Sequence, residues 1–125
     1  LIEAAAAAQD LGVVRTQVFD FLGDAAASPV RGVDVAVAAD LLYTEEITRA
    51  VARTCAALKT GGAAVIVTDS QRRHRDAFLD ELDRCLPRAD REFEAMKVTD
   101  YTGWSYPDAG DVSVDAISVG VLRLM

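Results

Sequence analysis

The sequence predicts an α/β fold: a layered sheet whose strands alternate with helices, closed by a strand pair. Three observations carry that expectation. The runs "VDVAVA" (33–38) and "AAVIV" (63–67) are short and almost wholly apolar, as strands buried on both faces of a parallel sheet are. The residues between them repeat apolar positions at helical spacing. An acidic residue stands just beyond each of three strand candidates, at Asp20, Asp40 and Asp69. Ligands of such sheets bind beyond the carboxyl ends of the strands, so three carboxylates at those ends weigh more than any one alone.

The chain opens with "LIEAAAAAQDL", Ala-rich and helix-forming, with Gly12 as a natural stop. It starts at Leu1, inside the helical pattern and without a cap, which leads us to expect an N-terminal part upstream. "VVRTQVF" (13–19) sets Val14, Thr16 and Val18 against Arg15 and Gln17, the alternation of a half-exposed strand near an edge. "DFLGDAAASPVRG" (20–32) reads as loop. In the strand 33–38 the acidic exception is Asp34. The next helix is expected over 44–58, with Ile47, Ala50, Val51, Cys55 and Leu58 on its apolar face. Thr44 suits its cap, and Glu45 and Glu46 suit the positive end of its dipole. Gly61 and Gly62 close the connection to the strand 63–67.

A second helix is expected over 70–86, with Phe78, Leu79, Leu82, Cys85 and Leu86 inward and Pro87 helping to stop it. "REFEAMKVT" (91–99) and "DAISVGVLRLM" (115–125) read as strands paired with each other across the turn-rich "DYTGWSYPDAGD" (100–111). The succession describes a single α/β domain, its parallel strands joined by right-handed crossovers.

Composition narrows the function. The 125 residues are 51% hydrophobic and only 6% aromatic, so the core must be built of Ala, Val, Leu and Ile. A net charge of −7 disfavours a nucleic-acid-binding surface, which needs clustered Lys and Arg. The basic run "RRHR" (72–75) is short and runs into acidic residues, so it reads as a solvated helix start, and the lone His74 as a surface residue. One histidine and no CxxC give no familiar zinc spacing, so no metal site is expected. Cys55 and Cys85 both fall on helix faces, which favours a reducing compartment over a disulfide framework. No apolar run approaches the roughly 20 residues that span a bilayer, and no signal peptide is visible. These features fit a cytoplasmic protein, an organelle being the other option, with no membrane partner; they leave its oligomeric state open.

Four segments bear a likeness: "FDFLGD", "VDVAVAADLLYTEEI", "LKTGGAAVIVTDSQR" and the closing strand pair. Together they resemble the C-terminal two-thirds of a class I, seven-strand S-adenosylmethionine-dependent methyltransferase. "ADLLYTEE" resembles the D-x-x-Y segment of the seven-strand protein lysine methyltransferases, sometimes called methyltransferase family 16. "TDSQRRHRDAFLDEL" is similar to the segment after the fifth strand in members related to the electron-transfer-flavoprotein lysine methyltransferases. The resemblance spans essentially the whole chain. It implies a Rossmann-like sheet with an antiparallel C-terminal hairpin, in the strand order 3-2-1-4-5-7-6. The family's Gly-rich loop after strand one and the ribose-binding acid after strand two have no counterpart here. By this likeness the 125 residues hold strands three to seven as one partial domain and lack one and two. Strand three, "VVRTQVF", then has no neighbour. It must float, pair elsewhere or close against "VDVAVA", and the chain is expected to be poorly stable alone.

The resemblance also implies roles. Asp20 and Phe21 would line the adenine pocket, Asp20 accepting from the exocyclic amine; otherwise Asp20 caps its own turn and Phe21 belongs to the core. Ala39 and Asp40 would close the pocket floor near the reacting centre, and Asp40 would draw in a lysine cation; the plain alternative is a carboxylate at a helix entry. Tyr43 would set its ring or hydroxyl beside the amine, or is an amphipathic aromatic at the sheet edge. Asp69 and Ser70 would line the acceptor side or cap the second helix. Tyr101, Trp104 and Tyr106 would recognise a protein substrate or anchor their loop. The implied function is S-adenosyl-L-methionine-dependent methylation of a lysine in a protein partner, catalysed with Asp40 and Tyr43. The alternatives are a small-molecule methyltransferase and a non-catalytic fold fragment that binds no cofactor. A nicotinamide dehydrogenase half-domain is more remote, because of the antiparallel ending and the D-x-x-Y segment.

Overall fold

A computed structural model describes residues 2–10, 12–23, 32–70, 73–88, 91–98 and 117–125. Their elements are α1 (Ile2–Ala8), β1 (Val35–Ala39), α2 (Glu45–Thr60), β2 (Ala64–Asp69), α3 (Arg75–Cys85), β3 (Glu94–Val98) and β4 (Ile117–Leu124). The four strands form one mixed sheet in the order β1-β2-β4-β3. β1 and β2 run parallel, with α2 as their connection. β4 enters antiparallel between β2 and β3, so the expected closing pair is present and its second strand lies inside the sheet. The protein is therefore an α/β protein with a mixed sheet.

Register explains the core. Residues two apart on a strand share a face. Val65, Val67 and Asp69 stand opposite Leu124, Leu122 and Gly120. On this face Val65, Val67, Leu122 and Leu124 are buried. They pack against Val51, Ala52, Cys55 and Ala56 of α2 and against Phe78 and Leu82 of α3. Phe78 is fully buried and meets Phe93 edge-on, with centroids 5.9 Å apart. Glu81 of α3 ties the two helices together, accepting from Arg53 at 2.9 Å and pairing with Arg49 at 3.5 Å. The Arg53 hydrogen bond holds the Glu81 carboxyl below its ordinary value, against a smaller opposing effect of desolvation.

The capping chemistry is as the sequence implies. Thr44 is the N-cap of α2, its Oγ1 accepting from the Ile47 N–H at 3.3 Å. The helix runs to Thr60, two residues past the expected end, because Gly61 still donates to the Ala57 carbonyl; Gly62, at φ +97°, then turns the chain into β2. α3 begins at Arg75, later than expected from 70–86, because Ser70 is engaged elsewhere and His74 makes no side-chain cap bond. α1 ends at Ala8, short of Gly12; Asp10 takes the left-handed conformation at φ +53°.

Two expectations are corrected. Residues 13–19 are not a strand. A strand is held by ladder bonds to a neighbour, and the described partner of β1 is β2 on its other side. Val13 and Val18 are accordingly exposed, and Phe19 and Phe21 rather than the backbone lie against β1. The run 33–38 is also not buried on both faces: Val35 and Val37 are 57% and 67% exposed, on the face away from α2. Apolar composition alone does not say whether a second layer covers the second face. The segment 100–111, with Tyr101, Trp104 and Tyr106, lies outside the described residues. No helix among the described residues is long and apolar enough to cross a membrane.

Candidate functional site

The carboxyl ends of β1 and β2 adjoin, since the two strands are parallel and in register to Ala39 and Thr68. Asp40, the first residue past β1, adopts φ +53°, a left-handed conformation that Asp tolerates better than most residues. This turn points its N–H at the Thr68 carbonyl, 2.9 Å away. Its Oδ1 accepts from both the N–H (3.0 Å) and the hydroxyl (2.9 Å) of Ser70. Asp40 is thus a staple between two strand tips as well as an exposed carboxylate. A helix-entry role belongs instead to Thr44. Ser70 does not cap α3, because Asp40 holds it at the strand end.

The other two acidic tips do not join Asp40 in one cleft. Asp69 is fully buried on the helix face of the sheet. Its Oδ2 accepts from Arg75 Nε at 2.8 Å, and Arg75 also donates to the Asp69 carbonyl. The expected cap or acceptor-side role of Asp69 is corrected accordingly: it is an ion-pair partner inside the fold. Asp20 is exposed and accepts from the Leu22 N–H at 2.9 Å, a carboxylate closing its own turn.

Phe21 is partly buried and packs on Phe19 at 5.1 Å, ring edge to face. The pair roofs a cavity of about 170 Å³ floored by Ala36, Ala38, Leu41, Val51 and Cys55. Its walls are apolar; the Thr54 hydroxyl at its rim donates to the Ala50 carbonyl at 3.1 Å. Such walls suit the face of an aromatic ring better than a charged group. Ala39 does not line this cavity; alternation along β1 gives the place to Ala38 and leaves Ala39 exposed. Burial pushes the Cys55 thiol up to about 12, so it behaves as a small apolar side chain. Cys85 is exposed. A thiol reagent at pH 8 therefore modifies Cys85 at least tenfold faster than Cys55 in folded protein, and urea removes the difference. Equal rates without denaturant would show that Cys55 is not shielded in the folded protein.

Tyr43 lies on the other side of the β1 tip. It is 56% exposed and lines a second pocket, of about 290 Å³, with Leu42, Arg73 and His74. Asp40 is followed directly by Leu41, which lines the first hollow, and Leu42, which lines the second. Two residues of this region escaped the sequence reading. Arg75 looked like one more solvated cation of "RRHR", and His74 looked like plain surface. One signal for Arg75 was present: Gly120, in the interior of β4, marks a close approach, and the Arg75 guanidinium lies where a Cβ at 120 would be.

Among the described residues no group of three or more His, Cys, Asp and Glu is placed to hold a metal ion. No family model, curated protein or solved structure matches this chain.

Proposed function

We propose that the chain is the C-terminal part of a class I S-adenosylmethionine-dependent methyltransferase domain that methylates a lysine side chain of a protein, its strands one and two being supplied by sequence upstream. The observation that carries the reading is the sheet itself. The order β1-β2-β4-β3, with a parallel first pair and antiparallel later ones, is the order the resembled family gives strands four, five, seven and six. The outer edge of β1 carries no strand among the described residues, and that is the edge where strand one would pair. The apolar hollow under Phe19 and Phe21 has walls that fit the adenine ring of the cofactor. Groups for its ribose and methionine parts have no counterpart in these residues.

When bound, S-adenosylmethionine supplies a methyl group already activated on a sulfonium. The chain's residues then have to position the amine and exclude water. A lysine amine, with a reference pKa near 10.4, arrives mostly protonated. The exposed Asp40 carboxylate attracts that cation, and the Tyr43 ring favours it through cation–π attraction. The proton passes to water before the nitrogen attacks. Asp40 is well made for the task, because its Ser70 and Thr68 bonds fix its position without help from the substrate.

Calorimetric titration with S-adenosylmethionine tests the reading. The 125 residues alone should bind weakly or not at all, and the protein with its upstream sequence should bind at micromolar concentration. Absence of binding by the longer protein overturns the proposal. Tight binding by the short chain overturns the claim that half of the pocket lies upstream.

A further inference from the structure

Arg73 and His74, which share a pocket with Tyr43, bring a chemistry that lysine binding does not use. Of the run "RRHR", Arg75 turns inward to Asp69, whereas Arg73 is exposed and His74 half-buried at the pocket wall. Glu45, in the first turn of α2, is already held by Arg49 at 2.8 Å, with their hydrogen bond the main cause of its lowered pKa. Arg73, His74 and Tyr43 therefore line one hollow of about 290 Å³ together with Leu42, and the Glu45 carboxylate is engaged by Arg49. An ammonium group would be repelled there. A carboxylate would be welcomed: arginine binds it through two parallel N–H bonds, and the imidazole adds a donor.

We propose that this pocket recognises a carboxylate. Asp40, three residues before Tyr43 and bonded to Ser70, three residues before Arg73, attracts a cation beside it. The segments that follow the two strand tips thus offer one negative and one positive station. An acceptor that meets both carries an ammonium and a carboxylate. This extension to the acceptor rests on the methyltransferase reading; the carboxylate pocket itself does not. The carboxylate has two possible sources: an acidic side chain next to the target lysine in a peptide, or the free carboxyl of an amino acid.

The test is an NMR titration of the full-length protein without cofactor, following the His74 ring resonance, identified by its loss in His74→Gln. Three probes are used: a blocked peptide with lysine between two glutamates, the same peptide with glutamines, and Nα-acetyl-lysine. The glutamate peptide or Nα-acetyl-lysine shifts the resonance saturably, at least fivefold more tightly than the glutamine peptide. The tighter of the two names the source. Arg73→Gln weakens that binding about tenfold, as loss of a charge-assisted pair should, and Arg88→Gln, away from the pocket, leaves it unchanged. Equal affinity for the glutamate and glutamine peptides with no tighter binding of Nα-acetyl-lysine, no effect of Arg73→Gln, or a His74 resonance that none of the probes moves overturns the proposal. Carboxylate binding in a protein that fails to bind S-adenosylmethionine would leave the pocket standing and remove the methyltransferase reading; the reverse result would do the opposite.

Discussion

Arg75→Met destabilises the protein by about 3–5 kcal/mol, read as a fall in the urea midpoint at unchanged slope. Asp69 has no exposed surface, and Arg75 holds its carboxylate at 2.8 Å while donating to its carbonyl. The guanidinium also lies 4.9 Å from the centroid of Phe93, whose ring meets Phe78 at the centre of the core. Methionine keeps the stem and the apolar contact but removes the charge. The carboxylate then stays under α3 without the Arg75 guanidinium, and losing one partner is the expensive half of breaking a buried pair. The double variant Asp69→Asn/Arg75→Met should recover a large part of the loss, because no lone charge remains. A loss below about 1 kcal/mol for Arg75→Met would mean that water reaches Asp69 and that the pair is a surface feature.

Gly120 is the third member of that arrangement. A methyl group at position 120 would occupy the space of the guanidinium, and the ion pair leaves Arg75 little freedom to step aside. This explains why a glycine sits in a strand where its missing side chain lowers β propensity. It also shows what a one-dimensional reading can and cannot see. The glycine, the buried strand end and the arginine were all legible separately. Their meeting was not, because it depends on β4 lying between β2 and β3, which brings Gly120 opposite Asp69.

The same distinction separates the expectations that held from those that did not. Thr44 and the apolar face of α2 follow from local rules, and local rules were enough. The strand expected at 13–19 had the right alternation, but alternation describes one face and supplies no partner for the backbone. Asp40 and Asp69 were correctly placed at strand ends and Asp20 was not, yet the directions even of those two depend on details that spacing does not hold. Asp69 belongs to the buried row of β2, so it points under α3. Asp40 escapes the row because the chain turns left-handed just there. Asp20 lies on no strand and closes its own turn.

Asp40→Asn separates the structural from the chemical part of this residue. Asparagine also tolerates the left-handed conformation, and its carbonyl oxygen can accept both Ser70 bonds. Stability should therefore change by less than about 1 kcal/mol. The negative charge is gone. A unit charge about 4 Å from a lysine ammonium is worth up to about 4 kcal/mol where the effective dielectric constant is near 20. Part of that attraction is replaced by water, so methyl transfer to protein lysine by the upstream-extended protein should fall about 100-fold, or about 2.7 kcal/mol. Asp40→Ala should lose the same activity and also about 1–3 kcal/mol of stability, since alanine resists φ +53° and leaves Ser70 without its acceptor. Label transfer to lysate proteins and urea midpoints, measured on both variants, give the two quantities independently. Full activity in Asp40→Asn, with Asp40→Ala failing only in proportion to its unfolding, would make Asp40 a staple between strands and nothing more; the negative station would then have to be sought elsewhere.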